Sequence, residues 1–197
     1  EWPHPNGKTL KAQLDGKTLF LSSFTGNTGT RRGPFNSYIY NNTIYVKEDM
    51  HSVFNFTRCT EGALIANNIF YILGSTKRAS DEEGKNKPPA SAALKNVIIK
   101  NNLYLRANTL PPDLPLQDNQ PLHDTNPIVA DPQFAEPGGS DPADYIPANH
   151  AAIKDRGLPI ERIPGDTVGL YLGLEVKEDF FGNPILGAPD MGAIEIR

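Results

Sequence analysis

Three short stretches of the chain share one frame of apolar and polar positions. Tyr38-Ile39-Tyr40-Asn41-Asn42-Thr43-Ile44-Tyr45-Val46, Leu64-Ile65-Ala66-Asn67-Asn68-Ile69-Phe70-Tyr71-Ile72 and Ile98-Ile99-Lys100-Asn101-Asn102-Leu103-Tyr104-Leu105 each read apolar, variable, Asn-Asn, variable, apolar or aromatic. The Asn pairs stand 26 and then 34 residues apart. A strand-like segment that returns with a fixed polar pair marks a repeat architecture. Between the first two copies lies another strand pattern, Ser52-Val53-Phe54-Asn55-Phe56-Thr57, bounded by polar turns at 47–50 and 60–62. Strand, turn, strand, turn, strand within about two dozen residues is one coil of a parallel solenoid, in which each unit buries its face only against its neighbours. No stretch keeps a helical apolar spacing, and β-branched and aromatic residues crowd the periodic parts.

The rest of the chain arranges itself around these coils. Residues 1–36 form an irregular lead-in, with Thr18-Leu19-Phe20-Leu21 as a strand. The longer interval contains an insertion loop at 74–90, rich in Lys, Asp and Glu and ending on Pro88-Pro89. Coils are therefore expected over 1–107. Residues 108–197 read as an extended, Pro- and Gly-rich region that packs on the same domain and caps its open sheet edge.

Neighbouring residues of a strand face opposite ways, so one Asn of each pair should point into the coil and the other out. Stacked Asn side chains, repeating about every 4.8 Å, can hydrogen-bond amide to carbonyl. Asn also tolerates the left-handed backbone of a sharp corner. An interior Asn ladder is the structural expectation, and Asn pairs lining a sugar groove are the alternative. Ile39, Ile65 and Ile99 should stack as one internal ladder, and Ile44, Phe70 and Tyr104 as a second.

Composition narrows the function classes. The 197 residues include 18 Pro and 17 Gly, are 38% hydrophobic and 21% charged, and carry a net charge of −4. No basic surface points to nucleic acid, and no apolar run reaches membrane-spanning length. Cys59 is the single cysteine, which excludes an intrachain disulfide. The chain opens on Glu1 without a leader-like segment, which reads as a mature product or a fragment.

The Asn-Asn strands are followed in order by Asp131-Pro132-Gln133-Phe134, Ala151-Ala152-Ile153-Lys154-Asp155-Arg156-Gly157, Asp179-Phe180-Phe181-Gly182-Asn183-Pro184 and Asp190-Met191-Gly192-Ala193-Ile194-Glu195. This succession resembles the C-terminal half of right-handed parallel β-helix proteins of the pectate-lyase-like superfamily, over roughly residues 37–195. Ala152 stands where the similar segment has Pro. The resemblance implies an all-β, right-handed parallel β-helix with few coils. It also implies the C-terminal portion of a secreted, periplasmic or cell-surface bacterial carbohydrate-active protein, a polysaccharide lyase or glycoside hydrolase. Such proteins carry more coils than the three or so countable here, so the catalytic residues and a partner N-terminal part are expected upstream. A non-catalytic carbohydrate-binding or structural module is the alternative, and a segment that only closes the solenoid is a third reading.

Candidate chemistry follows from each class. Lyases on this fold, as the resemblance implies, need a base and cations that neutralise a uronate carboxylate. Arg31, Arg32, Lys47, His51, Arg58 and Lys100 are the cations within reach of the coils. Lys100 shares its template position with Tyr40 and Ala66, so Tyr40 and Lys100 would flank a groove floored by Ala66. Tyr40, Lys100, Arg31 and Arg32 are the substrate-binding candidates, and Lys100, Arg58, His51 and Glu61 the catalytic ones. Glycoside hydrolysis needs two carboxylates at a set separation, and Glu48, Asp49 and Glu61 are the acids of the coil region. No cofactor is required, although Asp49 and Glu61 could hold Ca²⁺ without the ligand spacing of a dedicated loop. The four histidines lack zinc spacing. Asp190 and Glu195 are expected to lock the tail through a turn at Gly192.

Overall fold

The computed structural model describes residues 15–22, 32–48, 50–78, 93–112, 116–173 and 175–197. β1 (Asp15–Leu21), β2 (Phe35–Tyr40) and β3 (Thr43–Val46) are followed by β4 (His51–Phe56), β5 (Glu61–Ala66) and β6 (Ile69–Ile72). Then come β7 (Thr76–Arg78), β8 (Lys95–Lys100) and β9 (Leu103–Tyr104). Successive strands join three sheets in rotation, ordered β1-β4-β7, β2-β5-β8 and β3-β6-β9. β12 (Ile128–Val129) adds a fourth strand to the third sheet, beside β9. All pairings within these sheets are parallel. A small antiparallel hairpin, β10 (Leu116–Gln117) with β11 (Gln120–Pro121), follows β9. Helix among the described residues is limited to α1 (His150–Ile153) and three short 3₁₀ turns.

The template positions align in register. Ile39 pairs with Ile65 and Ile65 with Ile99, while Ile44 pairs with Phe70 and Phe70 with Tyr104. These two internal ladders meet Leu19, Leu21, Phe54 and Phe56 in one core. The Phe70 and Tyr104 rings stack at 5.4 Å, and Phe54 meets Phe70 edge-on at 5.0 Å. Burying side chains of this size contributes about 1.5–3 kcal/mol each.

The second Asn of each pair points inward. Asn42 Nδ2 donates to Asn68 Oδ1 (2.9 Å), Asn68 Nδ2 to Asn102 Oδ1 (2.8 Å), and Asn102 Nδ2 to Asp124 Oδ2 (2.8 Å). The backbone N–H of each Asn donates to the same acceptor as its own amide, at 3.1 Å in every case. Each rung thus satisfies a corner N–H as well as its neighbour, which removes the penalty of burying amides. Asp124 is a fourth rung that the Asn-Asn frame does not show. Its carboxylate only accepts, so the column stops there.

One expectation changes. Residues 76–78, inside the expected insertion loop 74–90, form β7, because a strand between a turn and a solvated loop can pair through its backbone with no apolar signature. The rest of that loop, 79–90, lies outside the described residues, as do Arg31, Asp49 and most of the lead-in. The region after Leu105 runs back over two sheets. Ile160 and Ile163 cover Tyr38, Leu64, Ala66 and Ile98 on the outer face of the second sheet. Phe134, Ile153 and Met191 cover Ile69, Tyr71 and Leu103 on the third.

Candidate functional site

The corner between β2 and β3 is built by Asn41, whose φ of +52° lies in the left-handed region. Asn67 and Asn101 repeat it at +56° and +54°. This first Asn of each pair stays outside and forms its own column, with Asn101 Nδ2 donating to Asn67 Oδ1 (3.0 Å) and Asn67 Nδ2 to Asn41 Oδ1 (3.3 Å). The column also holds the tail. Asn101 Nδ2 donates to Arg156 O (2.9 Å), and Asn41 Nδ2 to Asp190 O (3.0 Å). Asn67 Nδ2 donates to Leu158 O (2.8 Å), and Leu158 N–H donates to Asn67 Oδ1 (2.9 Å).

Asp190 and Gly192 seat the last turn. Asp190 is 2% exposed and accepts the N–H groups of Asp155 (2.6 Å) and Ile196 (2.5 Å). Glu195 Oε1 accepts the Asp190 N–H (2.9 Å). Gly192 has φ +85°, and a β-carbon there would stand 2.6 Å from Ile69 Cδ1, so the tail reaches the sheet only with glycine at this position. Asp190 and Glu195 hold the tail as the sequence suggests.

Between this tail and the β2–β3 corner lie two adjoining hollows that share Phe180 and Ala193. One, of about 290 Å³, is lined by Tyr45, Tyr145, Thr43 and Ser140. The other, of about 280 Å³, is lined by Tyr40, Asn42, Glu178, Asp179 and Glu195. Phe180 stands between them, 64% exposed. Its loop is locked by Asp179, which accepts from Phe181 N–H (2.9 Å), Asn183 N–H (2.7 Å), Asn183 Nδ2 (2.9 Å) and Glu195 N–H (3.0 Å). Burial would raise the Asp179 pKa, but these four bonds outweigh it and lower it. Glu195 goes the other way: burial and the charges of Asp190, Asp179 and Asp155 raise it against the Asp190 N–H bond. Burial also raises Tyr40, assisted by the Glu175 charge and opposed by the Val176 N–H. Two carboxylates with environments of opposite effect, beside exposed aromatic surface, are what sugar recognition and acid–base chemistry both use.

The sequence-derived candidates are dispersed. Tyr40 lines the acidic hollow. Lys100 is in register with Ala66 and Tyr40, but its Nζ pairs with Glu161 of the tail at 3.1 Å. Ala66, the expected groove floor, is fully buried beneath Ile160 and Ile163. The tail thus fills the space between Lys100 and Tyr40. Glu61 pairs across strands with Lys95 at 3.8 Å. Arg58 is half-buried on the turn after β4, His51 opens β4, Arg32 and Lys47 are exposed, and Glu48 is exposed on the turn after β3. Among the described residues no His, Cys, Asp and Glu side chains gather as a metal site. Tyr145, Phe180, Glu178 and Glu195 are not singled out as ligand-facing by the sequence. The available signal was Phe180-Phe181, two aromatics inside an Asp/Gly turn.

No family model matches the chain. Over 176 residues it is 29% identical to a protein named Lacto-N-biosidase from Bifidobacterium longum subsp. longum, an alignment covering 83% of this chain and 10% of that protein. The chain therefore spans about a tenth of the length of the curated relative it matches.

Proposed function

We propose that the chain is the C-terminal part of a right-handed parallel β-helix in a secreted bacterial polysaccharide-degrading protein, and that this protein is a glycoside hydrolase. The observation that carries this reading is the inequality of the two ends. At one end Gln117 accepts the Val97 N–H (2.8 Å) and donates to Val97 O (3.3 Å), in place of a further strand on β8. Asp124 closes the inner Asn column there. At the other end β1, β2 and β3 pair along one edge only among the described residues, and Asn42 Oδ1 has no donor there. Further coils upstream would take up these groups and carry the catalytic carboxylates.

The named relative is a glycosidase, which favours hydrolysis over elimination. The engagement of Lys100 with Glu161 removes one cation that a lyase site would need free. Secretion, to the periplasm, cell surface or medium, belongs to the same proposal. A non-catalytic carbohydrate-binding module is the second reading, favoured by the exposed Phe180 between the two hollows. The test compares the 197-residue chain with a polypeptide that carries the proposed upstream coils. Both are incubated with oligosaccharide and polysaccharide panels, following reducing ends and the absorbance of unsaturated products. Reducing ends from the longer protein alone are expected. Unsaturated products would replace hydrolase with lyase, and silence from both would leave the binding module.

A further inference from the structure

We infer that the double hollow around Phe180 is a binding site for a neutral oligosaccharide, with Phe180 as the wall between an aromatic and an acidic subsite; this rests on the carbohydrate reading above. A pyranose ring offers an apolar C–H face and a rim of hydroxyls. The first hollow matches the face with Tyr45, Tyr145 and Phe180 and the rim with Thr43 and Ser140. Tyr45 meets Tyr145 edge-on at 6.4 Å and Tyr71 in a stack at 6.0 Å, so its ring is held before any ligand arrives. Its hydroxyl lies beside Gly138 and bonds no group among the described residues, which leaves it available to a sugar hydroxyl. The loop that carries Phe180 is also fixed in advance, by the four bonds on Asp179. Preorganised rings lose little freedom on binding.

The second hollow fixes the charge class. Glu178, Asp179 and Glu195 line it, with Tyr40 as a neutral partner. Carboxylates accept hydrogen bonds from sugar hydroxyls but repel a uronate. Two hollows of about 290 and 280 Å³ in contact suit a short run of sugar rings, not one.

The test is binding of the purified chain to a panel of immobilised neutral oligosaccharides and uronate oligosaccharides of equal length, with calorimetry on those retained. Neutral probes are expected to bind. Phe180→Ala should weaken them about tenfold and Tyr45→Phe several-fold, because the first removes a stacked ring and the second one hydroxyl bond. Thermal unfolding of both variants should match the parent, since Phe180 is exposed and Phe preserves the Tyr45 ring packing. Glu178→Gln should relax the exclusion of uronates. Neutral binding that survives both Phe180→Ala and Tyr45→Phe would overturn the site and leave the carbohydrate reading standing. Preference for uronates would overturn the substrate class. No retention of any probe, or self-association through Phe180 instead, would overturn the site and leave the carbohydrate reading, which rests on upstream coils, to its own test.

Discussion

The inner Asn column ends differently at its two extremities. At the Asp124 end every donor meets a carboxylate: Asn102 N–H and Nδ2, the Tyr104 hydroxyl (3.2 Å) and the Asn126 N–H (3.1 Å). At the Asn42 end the residue is exposed and its carbonyl oxygen receives no bond among the described residues. The same chemistry is closed on one side and left extendable on the other. A stack of parallel strands that is finished needs an acceptor-only residue at its donor end. A stack that continues needs an acceptor facing the next coil.

That contrast can be broken from the closed side first. Asp124→Ala strands four donors, three of them in buried surroundings, and should destabilise the chain by about 3–5 kcal/mol, measured by denaturant unfolding. A loss under about 1 kcal/mol would mean that water replaces the carboxylate and that the column has no real terminus. Mid-column, Asn68→Ala removes the acceptor of Asn42 and the donors to Asn102 Oδ1 and Ile39 O. The same measurement should give a smaller loss, about 2–4 kcal/mol, because the Asn42 side is open to water.

Tyr104 gives a pH-dependent version of the contrast. Burial, followed by the Asp124 charge and hydrogen bond, raises its pKa well above the usual value. A group raised in the folded state keeps its full contribution below the unfolded pKa, about 10 for tyrosine. That contribution is lost as pH rises towards the folded value, because the unfolded chain releases the proton first. Stability should therefore fall with pH above about 10. Tyr104→Phe should flatten this slope at a neutral-pH cost of about 1 kcal/mol. An unchanged alkaline slope in the variant would assign it to other groups.

Much of this organisation is legible in the letters, and the illegible parts have a common cause. The two internal ladders and both Asn columns follow from one frame, because strands alternate faces and each position repeats a fixed distance up the stack. Asp124 escapes that frame because its strand has shrunk to a single bridge with Ile99. The available signal was an Asp followed four residues later by Ile128-Val129, in register with Leu103-Tyr104. The path of the tail escapes altogether. Asn101, Asn67 and Asn41 hold it through the carbonyls of Arg156, Leu158 and Asp190, and backbone atoms carry no side-chain identity. For the same reason the groove drawn between Tyr40 and Lys100 could not be seen to be filled by Ile160, Ile163 and Glu161.

The open extremity is tested most directly by Asn42→Ala, compared in the 197-residue chain and in the polypeptide extended upstream. A continuing column predicts a cost of no more than about 1 kcal/mol in the shorter chain, where Asn42 is solvated, and roughly 2–3 kcal/mol in the longer one, where its carbonyl and amide would both be enclosed. Equal costs in the two proteins would show that the column ends at Asn42 and would contradict the proposal that further coils stand on β1, β2 and β3.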